Sequence, residues 1–154
     1  MIFWFTGQPG SGKTTLAIQL ISHFKNEDSD IKIINIDGDD LRNINKNKDY
    51  SKEGRIKNIS TAISIIRFLC NKGYTCVVSI VAPYKFLRDE LKSEFTFIEI
   101  YLHTQEIRGR EEFFAKDYEL PVDPNALFLD TGELNIEECI DEVLNVYRKM
   151  ATLA

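Results

Sequence analysis

Short unbroken apolar runs alternate along this chain with longer stretches in which apolar residues recur every three or four positions. Ile2-Phe3-Trp4-Phe5 is the first run, and a continuous apolar segment of that length reads as a strand. Leu16, Leu20 and Phe24 then fall four apart, one stripe of a helix. Ile31 to Ile36 predicts a second strand, ending in Asp37-Gly38-Asp39, a composition typical of a turn. From about Lys52 to Lys72 the positions Ile56, Ile59, Ile63, Ile66 and Leu69 make a long helical stripe, stopped by Gly73. Cys76 to Val81 is a buried strand by composition, broken by Pro83. Leu87 and Leu91 mark a short helix, and Phe97 to Leu102 the next strand. Residues 104–118 are charged and without period, which predicts a mobile stretch. Ala126 to Asp130 is the last strand. Ile136, Ile140, Val143 and Tyr147 mark a final helix, opened by a reciprocal cap between Asn135 and Glu138. Strands separated by crossover helices give an α/β fold, with a five-stranded parallel sheet sandwiched between helices in three layers.

Composition narrows the class. With 154 residues, 44% hydrophobic and 28% charged, the chain is expected to form one domain with a sizeable core. No repeat, low-complexity tract or linker divides residues 1–154. A formal charge of −5 argues against nucleic acid as a partner, because phosphate backbones require clustered Lys and Arg. No apolar run approaches the ~20 residues of a membrane span. With the first strand opening at residue 2, no leader segment is expected. Cys70, Cys76 and Cys139 are odd in number and form no C-x-x-C pair, which points to buried thiols in the reducing cytoplasm.

The segment between the first strand and the first helix reads Gly7-Gln8-Pro9-Gly10-Ser11-Gly12-Lys13-Thr14-Thr15. This is the phosphate-loop pattern G-x-x-x-x-G-K-[ST], in the strand–loop–helix setting that gives it meaning. The glycines let successive N–H groups converge on phosphate oxygens. Lys13 reaches the outer phosphates, Thr14 supplies a hydroxyl for Mg²⁺, and the helix adds its positive end. A nucleoside triphosphate, ATP with Mg²⁺, is the expected ligand, on a P-loop NTPase-type sandwich.

In such a sheet ligands gather at the carboxyl ends of the strands. The second strand ends at Asp37, Asp39 and Arg42, and the third at Ala82 and Pro83. Carboxylates beside a magnesium triphosphate can hold the metal and orient or deprotonate an attacking hydroxyl. Gly38 is expected to keep the turn between them tight. Arg55 and Asn58, three apart, share one face of the long helix. With Arg42 they suggest an anionic acceptor, since guanidinium grips phosphate-like groups bidentately.

The ordered set Trp4-Phe5-Thr6-Gly7, Asp37-Gly38-Asp39-x-x-Arg42, Tyr50-Ser51-x-x-x-Arg55-x-x-Asn58-Ile59, Ser79 to Tyr84 with Arg88, and Tyr118-Glu119-x-Pro121 with Pro124 resembles the adenylylsulfate kinase family. The resemblance runs over nearly the whole chain. It implies transfer of phosphate from ATP, with Mg²⁺, to the ribose 3′-hydroxyl of adenosine 5′-phosphosulfate in sulfate assimilation. On that resemblance Lys13, Asp37 and Asp39 are the catalytic residues. Asp37 stands at the attacked hydroxyl and, with Thr14, at the metal, while Asp39 supports metal or substrate. Arg42, Arg55 and Asn58 grip the acceptor, and Tyr50 stacks on its base. Ile80, Val81, Ala82, Pro83 and Phe114 complete the acceptor side. Members are often dimeric, so a homodimer is the expected assembly.

Three departures from the family pattern stand out. Ala82 replaces a serine before the proline. Ser60 and Thr61 replace two arginines. The mobile lid is reduced to about residues 104–118, with Arg108, Arg110, Phe113 and Phe114 as substitutes. These keep two alternatives open: a cytidine diphosphoramidate kinase of capsule biosynthesis, and a nucleotide-binding module without catalysis. The acceptor in the first two readings is a small nucleotide.

Overall fold

A computed structural model describes residues 1–153 of the chain. Among the described residues five strands form one sheet, in the order β2-β3-β1-β4-β5 with every pairing parallel. The central strand is β1 (Ile2–Thr6), flanked by β3 (Thr75–Ser79) and β4 (Phe97–His103), with β2 (Ile33–Asp37) and β5 (Leu127–Asp130) at the edges. Helices α1 (Lys13–Glu27) and α5 (Ile136–Leu153) cover one face. Helices α2 (Gly38–Asn45), α3 (Lys52–Asn71) and α4 (Lys85–Asp89) lie on the other.

Burial on both faces explains why β1 shows no alternation. Phe3 and Phe5 pack with Leu16, Leu20 and Val143 on one side, and Ile2 and Trp4 with Ile59, Ile63 and Ile66 on the other. Each such side chain contributes about 1.5–3 kcal/mol by leaving water. Leu16, Leu20 and Phe24 are buried as their spacing predicts. The α5 stripe is displaced, with Ile136 46% exposed and Cys139, Ile140, Val143 and Leu144 buried. Its cap forms as read: the Asn135 amide donates to Glu138 and the Glu138 amide to Asn135, each at 2.8 Å.

Three expectations are corrected. The acidic turn at Asp37-Gly38-Asp39 is the start of α2, with Asp37 as its N-cap. Gly38 lies in the helix without a positive φ, so it does not serve to tighten a turn. Of the three thiols, Cys76 and Cys139 are buried, but Cys70 is partly exposed. Residues 104–118 contain only a short 3-10 turn at Glu111–Phe113, yet side chains fasten them to the rest of the molecule. No helix among the described residues is long and apolar enough to cross a membrane.

Candidate active site

The loop between β1 and α1 wraps an open space at the carboxyl end of the sheet. Gly7 holds φ 146, and a Cβ there would lie 2.4 Å from the Leu102 carbonyl oxygen, so no other residue fits. Gly12 begins α1 at φ 105, and no side chain caps the helix. Its first amides are thereby left to an anionic ligand. Lys13 is buried, with Nζ donating to the Gln8 carbonyl at 2.8 Å and 3.4 Å from Ser11 Oγ. Burial pulls its ammonium down to about 7, against the pull of Asp39 and Asp37 and with repulsion from Arg110. A polyanion brought to this lysine restores its charge.

The two carboxylates differ in what they already touch. Asp37 Oδ2 accepts from Thr14 Oγ1 at 2.6 Å and from Ser79 Oγ at 2.8 Å. Its Oδ1 accepts from the amides of Asp39 and Asp40 at 2.9 and 3.3 Å. No group among the described residues hydrogen-bonds the carboxylate of Asp39, which faces the same cavity. The Thr14 hydroxyl against the Asp37 carboxylate is a pair of hard oxygen donors, the chemistry Mg²⁺ takes when substrate phosphates and water complete its shell.

A cavity of about 410 Å³ joins the phosphate loop to α2, α3 and the end of β3. All the predicted site residues line it except Gly7, Ser11 and Phe114. Gly7 and Ser11 shape the loop from behind. Phe114 leaves the 3-10 turn in extended conformation and is 40% exposed, so it does not reach the cavity. Phe113 does not line the cavity either, but its ring centroid lies 5.1 Å from that of Tyr50, which does.

Arg42 also lies over Tyr50, its guanidinium carbon 4.1 Å from the ring centroid. Its Nη1 is anchored on the Asp49 carbonyl at 2.9 Å. Arg55 donates from Nε to the Tyr50 carbonyl at 2.9 Å and from Nη2 to the Phe113 carbonyl at 2.7 Å. Burial lowers the pKa of Arg42, and Arg55 beside it adds to the effect. Two guanidinium groups sharing one wall are a site for an anion. Asn58, on the same helix face as Arg55, is buried, and its Oδ1 has no partner among the described residues. That oxygen is closed to solvent, so a donor reaches it only if the Asn58 side chain shifts. The Tyr50 ring, predicted to stack on a base, is here in contact with Arg42 and Phe113.

Ser79, Thr131 and Gln8 were not in the predicted site set, and Arg108 and Arg110 were expected only as substitutes for the lid. Ser79 orients Asp37, and its place at the end of β3 is a signal the strand-end rule could have used. Thr131, just past β5, accepts from Arg108 and donates to the Ser11 carbonyl at 2.7 Å. Arg108 also donates to the Gly10 carbonyl at 3.0 Å. Gln8 exchanges two hydrogen bonds with Ala115, at 2.8 and 2.9 Å, tying residues 104–118 to the loop. Nothing in the sequence marks that contact. Arg110 lines the cavity over the Phe113 ring and pairs with no carboxylate among the described residues.

A phosphate loop on a parallel sheet in this strand order, opening on a cavity with a free carboxylate and unpaired guanidinium groups, defines a phosphoryl-transfer enzyme of the P-loop kinase class. The family model for adenylylsulphate kinase matches residues 1–123, and the chain belongs to that family. It is 29% identical over 163 residues to a probable adenylyl-sulfate kinase of Pseudomonas aeruginosa, covering 93% of this chain and 75% of that protein. The solved structure of APE1195 superposes with a TM-score of 0.78 at 25% identity, over 97% of this chain and 95% of the other. The Mycobacterium tuberculosis APS kinase CysC in complex with AMPPNP and APS gives 0.77 at 22% identity, over 96% of each chain, a likeness of fold. As a member of the family the chain is an ATP-dependent nucleotide kinase that works with Mg²⁺.

Proposed function

We propose that this enzyme transfers the γ-phosphoryl group of ATP to the ribose 3′-hydroxyl of adenosine 5′-phosphosulfate. One observation carries the reading: the cavity that begins at the phosphate loop is walled at its other side by Arg42, Arg55 and Asn58. A phosphate-binding half and an anion-binding half therefore share one enclosure, as a kinase with a charged nucleotide acceptor requires.

The roles follow from contacts. Thr14 and Asp37 would hold Mg²⁺, which supplies charge neutralisation at the β- and γ-phosphates. Asp37, already accepting four hydrogen bonds, is poorly placed to accept a substrate proton. Asp39, with an unengaged carboxylate, takes the hydroxyl proton as it attacks. This reverses the division of labour implied by family resemblance. Lys13 and Arg110 stabilise charge on the transferring group. Arg42 and Arg55 hold the acceptor anion through their remaining N–H groups, and Asn58 Oδ1, once its side chain shifts, accepts from the acceptor nucleoside. Tyr50 and Phe113 clasp the base by its faces, which contributes about 1–3 kcal/mol and tolerates either ring size.

That tolerance favours one second reading, a cytidine diphosphate derivative as acceptor. Comparing kcat/KM for adenylylsulfate, a cytidine diphosphoramidate, AMP and gluconate tests both. The account predicts adenylylsulfate first, with AMP far behind because it lacks the second anionic group. Preference for the cytidine compound transfers the function to the second reading. Gluconate as the best acceptor overturns both.

A further inference from the structure

The wall of the cavity beyond β3 contains a strained residue. Ala82 has φ 42, and the only other non-glycine residue with positive φ among the described residues, Lys46, merely ends α2. An alanine resists this left-handed conformation because of its Cβ, and a following proline restricts the residue before it toward extended geometry. Pro83 follows here. Such a residue persists only where its surroundings over-determine it.

Three successive carbonyls are gripped from three directions. The Val81 carbonyl accepts from Thr6 Oγ1 at 2.6 Å. The Pro83 carbonyl accepts from the Glu119 amide at 2.8 Å. Between them, the Ala82 carbonyl accepts from Arg88 Nη1 at 2.7 Å. Arg88 is wholly buried, and its other N–H groups reach Glu99 Oε1 at 2.8 Å and the Glu119 carbonyl at 2.6 Å. Glu99 is itself fixed by Lys92 at 2.5 Å. Thr6 has one hydroxyl hydrogen, given to Val81, so Tyr118, 2.5 Å away, donates to Thr6. The planar guanidinium fork satisfies three acceptors at fixed angles, which a lysine ammonium does not reproduce.

We propose that Arg88 is a positioning residue for phosphoryl transfer, holding Ala82 in the left-handed conformation that shapes the acceptor wall. The idea rests on the proposed acceptor side of the cavity. Arg88 touches no cavity space itself. It acts through the carbonyl of Ala82, while ATP sits on a loop that Arg88 does not contact.

The test compares wild type, Arg88→Lys, and Arg88→Lys combined with Ala82→Gly, using whichever nucleotide the wild type phosphorylates. Arg88→Lys should raise acceptor KM by about tenfold and leave the KM for ATP within about twofold. Glycine at position 82 adopts positive φ without a Cβ clash, so the double variant should recover most of the acceptor affinity although its stability stays low. In protein labelled with ¹³C-alanine, the Ala82 Cα and Cβ shifts should move in Arg88→Lys toward values for negative φ. Glu99→Gln loosens the same guanidinium, and should give the same split at smaller size if the lysine variant does not fold. Equal rises in both KM values, no rescue by glycine, or unchanged Ala82 shifts would overturn the proposal. The shifts need no acceptor, so they decide the role of Arg88 even if the proposed acceptor is wrong.

Discussion

Asp37 and Asp39 stand two residues apart and face one cavity, but only Asp39 has a free carboxylate. Asp39→Asn should therefore lower kcat by about 10²–10⁴-fold, the usual contribution of a general base, with the KM for ATP nearly unchanged. Asp37→Asn should weaken Mg²⁺ binding instead, seen as a raised magnesium requirement in steady-state kinetics. Lys13 gives a second check. Its ammonium lies near 7 in the free enzyme because burial dominates, and a bound triphosphate raises it. Between those two values binding takes up a proton. At pH 8.5 the terminal phosphate, with a pKa of about 6, is fully ionised, so the uptake belongs to the lysine. Calorimetric ATP-binding enthalpies at pH 8.5 should vary with the buffer's ionisation enthalpy in the sense of proton uptake, and should lose that dependence in Lys13→Met. A third outcome follows from Ala82, which has no hydroxyl to carry phosphate. Transfer should be direct and invert configuration at a chiral γ-phosphate; retention would show a covalent intermediate. At this scale the phosphate loop was legible because its chemistry demands a fixed spacing. The roles of Asp37 and Asp39 were not, because they depend on hydrogen bonds from Thr14 and Ser79, residues distant in sequence.

Helix α3 shows what an element needs at its start. Ser51 caps it through its side chain, and Gly54 sits in the first turn against residue 49. A Cβ on Gly54 would lie 2.2 Å from the Asp49 carbonyl oxygen, the same oxygen that anchors Arg42. Gly→Ala in a helix ordinarily stabilises by about 1 kcal/mol. Here the clash outweighs that gain. Gly54→Ala should lower the melting temperature and raise acceptor KM by displacing Arg42 and Tyr50, with ATP affinity held, as paired titrations would show. The long helices were legible because their apolar stripes run for several turns. Helix α2 was not, since Leu41 is its only buried residue and its Asp-Gly opening imitates a turn. Asp37 turns that same opening into a cap.

Across the whole molecule the parallel sheet places the loops after β1, β2 and β3 on one rim, so residues far apart in sequence form one cavity. The alternation of apolar runs and helical stripes was enough to read that architecture. The behaviour of residues 104–118 was less legible: their charges suggested solvent, but Gln8, Arg55 and Arg108 fasten them over the loop. These contacts join groups about fifty to a hundred positions apart, as the separations of 58 and 107 show, and no local pattern encodes them. In the proposed function this cavity brings the γ-phosphate of ATP to a nucleotide ribose. That transfer is tested most directly by incubating the enzyme with ATP, Mg²⁺ and adenylylsulfate and assigning the new phosphate by ³¹P–¹H correlation. The account predicts a phosphomonoester coupled to the ribose H3′ proton. Phosphate released to water alone, or coupled to another position, would contradict it.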